Sequence, residues 1–210
     1  MSINWYGEGC FRIQAGSLDL LIDPFEAKGG LTPPRFRHNV LLETLRAAHG
    51  LESFGEQKGE EGVVRIHSAG EYDVMGLEIR GFQLVSESTD TFTKIAYVFK
   101  LEDIKFGILG HISNPLEPDT LEAFVKTDIL MIPAGGSPFL PLEEAAKLIK
   151  KIEPKIVIPT FFKIPDLKRD AGDVKEFLKA VGYEATTEEK LSIKARDLSE
   201  AKTKVMILKA

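Results

Sequence analysis

Two short segments constrain the fold more than anything else in this chain. Residues 128–133 (Asp-Ile-Leu-Met-Ile-Pro) and 155–159 (Lys-Ile-Val-Ile-Pro) are apolar runs that stop at a proline. A run with no polar face has nothing to offer water, so each reads as a buried strand. Proline cannot donate to a sheet ladder, so each strand ends there, at an edge that can face a ligand. Between them, Leu142, Ala145, Ala146, Ile149 and Ile152 recur at helical spacing after Pro141.

The same reading extends along the chain. Residues 11–14 alternate with period two, and Gly16 and Ser17 turn them into a second strand at 18–22, closed by Asp23 and Pro24. Further strands are expected at 63–67, 71–74, 77–84, 95–101, 105–109 and 204–208, with Gly76 as a hairpin corner. Pro118 opens a helix with Leu121, Phe124 and Val125 on one face. Asp173 caps another, with Val174, Phe177, Leu178 and Val181 inward and Gly182 as its stop. On the Pro141 helix, Glu143 and Lys147 stand at i,i+4 as an outward pair. Residues 39–50 read as an amphipathic helix, capped by Asn39 and ended by Gly50. Residues 50–62, rich in Gly, Glu and Lys, read as an exposed excursion. A run of strands followed by strand–helix–strand–helix order predicts two layers of sheet flanked by helices, in a single domain spanning 1–210.

Composition narrows the partners. The net charge of −5 comes without a Lys/Arg block, which argues against nucleic acid or an anionic membrane surface. Lys147, Lys150, Lys151 and Lys155 read as the solvated side of a helix. A lone Cys10 in an apolar stretch forms no internal disulfide and reads as an inert buried thiol. Neither a signal peptide nor an apolar run of membrane-spanning length is read, so a soluble cytoplasmic protein is expected.

Several motifs together carry a resemblance. Trp5-Tyr6-Gly7-Glu8-Gly9-Cys10-Phe11 and Leu20-Leu21-Ile22-Asp23-Pro24-Phe25 resemble the opening of metallo-β-lactamase superfamily hydrolases, specifically the small lactonase-like Zn-dependent branch. Residues 70–77 resemble its Gly-Glu-Tyr hairpin, Ile108-Leu109-Gly110 its Leu-Gly strand end, and Ile132-Pro133-Ala134-Gly135-Gly136 its Ile-Pro-Val-Gly-Gly loop. Glu143-Glu144-Ala145-Ala146 with residues 154–159 resembles its helix and final metal-bearing strand. The resemblance implies a four-layer αββα sandwich and a hydrolytic two-metal centre.

The residues at the implied metal positions differ from that pattern. The family's early His is Glu8 here. Its Thr-His-x-His-x-Asp-His run falls on residues 44–50, where Thr44 is kept and His49 stands in place of aspartate. Its next His-Asp pair becomes Ser86-Glu87, its bridging Asp becomes His111, and its last His becomes Phe161. The chain has four histidines, His38, His49, His67 and His111, none paired at ligand spacing. The reading that follows is a non-catalytic descendant with no metal cofactor, which keeps the scaffold for a binding or structural role. It would act in a homo-oligomer or with a protein partner, and its small-molecule ligand is not specified.

The alternative is a metal-dependent hydrolase of the lactone or phosphoester class, with one Zn, Mn or Fe ion in a reduced or relocated site. Glu8, Glu87 and His111 would hold that ion, near Asp23. A binding module without chemistry is a third option. Within the vestigial pocket, formed by Glu8, Asp23, Ser86, Glu87, His111 and Phe161, a Glu8–His111 pair could fill the space of the ions. Asp23 reads as a strand-end acceptor of backbone N–H groups. Ser86 with His111 lacks a nucleophile elbow or an orienting acid. Gly135-Gly136-Ser137 is a turn or an anion nest. Phe92, Phe139, Phe161 and Phe162 are candidates for the pocket mouth or for the core.

Overall fold

In the computed structural model the described residues are 1–47, 62–198 and 202–210. The first strands are β1 (Ser2–Trp5), β2 (Phe11–Ala15), β3 (Leu18–Ile22), β4 (Val40–Leu42), β5 (Leu45–Ala47) and β6 (Val64–Ile66). Then come β7 (Gly70–Val74), β8 (Leu77–Gln83), β9 (Phe92–Leu101), β10 (Ile104–Ile108), α1 (Pro118–Phe124), β11 (Ile129–Pro133), α2 (Leu142–Ile152) and β12 (Ile156–Thr160). The chain closes with α3 (Val174–Val181), β13 (Ala185–Glu188), β14 (Leu191–Ser192) and β15 (Lys204–Leu208).

Two sheets result. One has the order β14-β1-β2-β3-β4-β6, and the other runs β13-β15-β12-β11-β10-β9-β8-β7, with β5 pairing to β9. In the second, β10, β11, β12 and β15 are parallel neighbours, because α1, α2 and α3 supply the crossovers that parallel strands need. The apolar run of β11 is buried at every residue, as an all-apolar strand requires.

Register lines up the core. Ile3, Ile13, Leu20 and Val40 stand side by side across β1 to β4. Ile79, Phe99, Phe106, Ile129 and Ile156 do the same across β8 to β12. Both rows belong to one continuous buried cluster, so the two sheets share a core. Phe99 and Phe106 stack within it at 4.8 Å. The outcome is a mixed α/β fold of two sheets with helices, as the sequence predicts.

Caps follow local chemistry. The Asp173 side chain accepts from the Lys175 amide at 2.9 Å and Gly182 closes α3 at φ 70°. On α2, Lys147 pairs with Glu144 at 2.6 Å, so the outward pair is i,i+3 and not the expected Glu143 pair.

The expected helix at 39–50 is not formed. Residues 40–42 and 45–47 are strands, and 48–50 lie outside the described residues, as does most of the expected excursion at 50–62. The apolar spacing is helical, but this short segment carries the chain from one sheet to the other. β4 pairs with β3 and β6, β5 pairs with β9, and the Ile95 amide donates to the Thr44 carbonyl at 2.8 Å between them. Sheet edges on both sides offer more backbone partners than a short, about three-turn helix could make.

Candidate active site at the strand ends

The C-terminal ends of β3, β4, β10 and β12 converge on one pocket, the place where open α/β sheets present ligands. The cavity is about 700 Å³, and its lining includes Glu8, Asp23, Glu43, His111, Phe161 and Arg169. Three non-glycine residues around it are left-handed: Glu8 at φ 51°, Asp23 at φ 42° and Phe161 at φ 56°. Each costs backbone strain that only surrounding structure can hold, and such strain collects at functional sites.

Asp23 ends β3. Its Oδ1 accepts from the Thr44 amide at 2.6 Å and its Oδ2 from the Thr44 hydroxyl at 2.5 Å, as expected of a strand-end aspartate. Burial pushes its carboxyl up to about 7, the Thr44 hydrogen bonds offset part of that rise, and the nearby Glu43 adds to it. Thr44 Oγ1 also lies 2.8 Å from His111 Nδ1. Burial, then the charges of Lys94 and Arg169, lower the His111 imidazole to about 4. Its ring packs on Phe161 at 4.9 Å and on Phe139 at 6.1 Å.

Glu8 does not meet His111. It faces the Arg169 guanidinium, with contacts of 3.0 and 3.3 Å, and Arg169 also donates to the Phe161 carbonyl at 2.8 Å. The expected Glu8–His111 pair is therefore replaced by Glu8–Arg169 and His111–Thr44. Glu87 is not in the pocket lining. Its buried carboxylate accepts from Lys94 Nζ at 2.9 Å, the Ser113 amide at 2.7 Å, the Ser113 hydroxyl at 2.5 Å and the Asn114 amide at 3.0 Å. Burial alone would raise its pKa, but these donors together hold it below the usual value. Glu87 thus clamps the loop that carries His111. Ser86 is exposed, in the short turn Val85–Glu87, and points to no nucleophilic role.

Of the aromatic candidates, Phe139 and Phe161 line the pocket at 4.2 Å from each other, whereas Phe162 is core and packs at a tilt on Trp5 at 4.9 Å. Gly135 sits where a Cβ would fall 2.0 Å from the Phe161 carbonyl, so its glycine serves close packing. Cys10 is fully buried, and burial together with Asp23 pushes its thiol well above the ordinary range, as an inert thiol requires. Sequence reasoning missed Arg169 and Glu43. Arg169 meets Glu8 across 161 positions, with no local motif to mark it. Glu43 is held by Arg65 through contacts of 2.7 and 3.1 Å.

The family described as "Beta-lactamase superfamily domain" matches residues 2–161, and this chain belongs to it. A Methanopyrus kandleri protein named a UPF0173 metal-dependent hydrolase is 21% identical, over 88% of this chain and 94% of its own. A Roseobacter denitrificans protein with the same family name is 26% identical, over 86% and 94%. A crystal structure from the metallo-beta-lactamase superfamily of Thermotoga maritima superposes with a TM-score of 0.74 at 26% identity, covering 99% of both chains. The metallo hydrolase Igni18 of Ignicoccus hospitalis shares the fold, with a TM-score of 0.62 at 16% identity, covering 100% and 96%.

These findings correct the leading functional expectation. Relatives that span nearly the whole chain are named as hydrolases, so a non-catalytic pseudoenzyme has no support among them. They are named metal-dependent, which likewise overturns the expectation that no metal cofactor is involved. The described side chains do not themselves supply the ligand set. Among the described residues no three His, Cys, Asp or Glu side chains gather where they could hold a metal ion. The proposed Glu8, Glu87 and His111 set is divided, with Glu8 on Arg169 and Glu87 on Lys94. His49 lies outside the described residues. No helix among the described residues is long and apolar enough to cross a membrane.

Proposed function

We propose that this chain is a hydrolase, the activity for which its relatives are named, and that its substrates are uncharged carboxylic esters or lactones. The supporting observation is the pocket at the strand ends, where ionisable Asp23 and His111 meet a wall of Leu31, Leu45, Phe139 and Phe161. The choice of substrate class follows from charge. A phosphoester needs free positive charge to neutralise its oxygens. Among the described residues lining the pocket, Arg169 is neutralised by Glu8 at 3.0 Å, and the other cation, Lys28, stands exposed at its edge beside Glu26 at 2.9 Å. An ester or lactone carries no net charge and suits the apolar wall. The lactonase-like branch and a cytoplasmic setting belong to the same reading.

Metal dependence is tested in the same experiment. Protein stripped with a chelator and protein resupplied with Zn, Mn or Fe are each offered aryl esters, lactones and phosphomonoesters. Turnover of an ester or lactone, faster than that of any phosphoester, is the expected result. Absence of turnover for every class with every metal would overturn the hydrolase reading. Faster phosphoester turnover would overturn the substrate class alone.

A further inference from the structure

We propose that a second cavity of this fold is the subsite for an apolar tail on the substrate, reached from the strand-end pocket past Leu31. The role rests on the reading of the chain as an ester or lactone hydrolase, and it narrows that class to substrates with an extended hydrocarbon tail.

The second cavity is about 500 Å³, within the range of small-molecule sites. Its lining includes Trp5, Leu31, Phe162, Ile164, Ile207 and Leu208. Trp5, Phe162 and Leu208 are buried in the core and make a fixed floor, while Leu31, Ile164 and Ile207 are half-buried walls. The Trp5 indole donates its one N–H to the Glu8 carbonyl at 3.0 Å, so the ring has only carbon to offer a ligand. Lys209, the one cation among the described lining residues, is exposed and pairs with Glu189 at 2.5 Å. Asp166, also in the lining, is exposed and adds negative charge at the rim. Walls of this kind gain by taking neutral hydrocarbon out of water and offer little to an anion.

The two cavities meet at one side chain, because Leu31 lines both. Phe161 lines the first and its chain neighbour Phe162 the second, so the end of β12 supplies a wall to each. Leu31 is seated where Gly7 has no side chain. A Cβ on Gly7 would fall 2.6 Å from Leu31 Cδ1 and 3.0 Å from Ile164 Cδ1. The loops that carry Leu31 and Ile164 are fastened to each other. The Lys168 amide donates to the Gly29 carbonyl at 3.0 Å. Gly30, at φ 96°, approaches so closely that a Cβ there would meet the Asp166 carbonyl at 2.1 Å. Leu31 therefore stands as a partition one side chain thick. A short-chain ester in the first cavity stops at Leu31, whereas a longer chain passes it and lies against Trp5.

Two measurements on the full chain test this. In the first, aryl esters from acetyl to decanoyl, and lactones with alkyl tails of matching length on the ring carbon that bears the oxygen, are hydrolysed with whichever of Zn, Mn or Fe gives the fastest turnover. The two series place the tail on the acyl side and on the alcohol side of the bond. In at least one series kcat/KM is expected to rise about fourfold per methylene once the tail reaches Leu31, mainly through KM. Ile207→Trp fills the cavity from β15 and should cut the ratio of long-tail to short-tail kcat/KM about tenfold. In the second, bromine-terminated decanol is titrated into chelator-stripped wild type. Bromine quenches an indole only on contact, and Trp5 is the single tryptophan, so saturable quenching is expected. Flat profiles in both series from a protein that turns over the short esters overturn the subsite and leave the hydrolase reading standing. So does an unchanged ratio in folded Ile207→Trp, or the lack of a saturable quench. Quenching in a protein that turns over no ester or lactone with any metal sinks the hydrolase reading and the tail role with it. If Ile207→Trp fails to fold, the wild-type series and the quench decide.

Discussion

At the scale of single residues, the pocket holds two groups whose titrations oppose one another. Asp23 is raised from 3.8 to about 7, so the stability it contributes is full below 3.8 and is lost as pH rises through about 7. His111 is lowered from 6.5 to about 4, so its contribution is full above 6.5 and is lost as pH falls through about 4. Between about 4 and 6.5 the two slopes have opposite signs and largely cancel. Asp23→Asn removes the first, so its thermal midpoint should rise with pH across that window relative to wild type. His111→Gln removes the second and should show the reverse, and melts recorded against pH for both variants check the pair. Arg169→Ala leaves the Glu8 carboxylate, 18% exposed, without its cation. Its cost should be about 1–2 kcal/mol in denaturant unfolding, discounted for solvent at the pocket rim.

Elements hold these residues in place, and the most consequential is the short link from β4 to β5. It brings Glu43 and Thr44 from one sheet to the other, with the Tyr97 hydroxyl donating to the Glu43 carbonyl at 3.0 Å. Its apolar pattern resembles a helix because neighbouring residues serve different sheets, which no local period encodes. The loop after β10 is held differently, by three hydrogen bonds from Ser113 and Asn114 into the Glu87 carboxylate, which is 3% exposed and also pairs with Lys94 of β9. Glu87→Ala should cost about 3 kcal/mol, since it leaves the half-buried Lys94 ammonium without a carboxylate, held only by the Ser113 hydroxyl. Amide exchange at Ser113 and Asn114 should speed up more than exchange in β11. On α3, Asp173→Ala removes a cap that was plain in the sequence and should cost about 1 kcal/mol in thermal or denaturant unfolding.

The whole molecule is two sheets on one shared core, so it should unfold as one unit. The single tryptophan, Trp5, reports on the first sheet. Ile158→Ala in β12 of the second sheet, fully buried, should cost about 2–5 kcal/mol. Trp5 fluorescence and far-UV circular dichroism should shift together, and separate transitions would mean that the sheets unfold independently. Most of this architecture was legible beforehand. The runs ending at Pro133 and Pro159, the caps of α3 and the stripe of α2 are local signals, because side-chain periodicity and turn chemistry act over a few residues. Asp23 and His111 were legible as pocket residues through their motifs, and Asp23 even as an acceptor of backbone N–H groups. Their partners were not. Glu8 finds Arg169 across 161 positions, Thr44 finds His111 across 67, and Glu87 turns from the pocket to the loop 26 residues on. The sequence by itself determined most of the strands, the helices α1 to α3 and the family, but not the strands at 40–42 and 45–47. Only the tertiary structure decided which charges neutralise one another, because that depends on distances of a few ångströms between segments far apart in the chain.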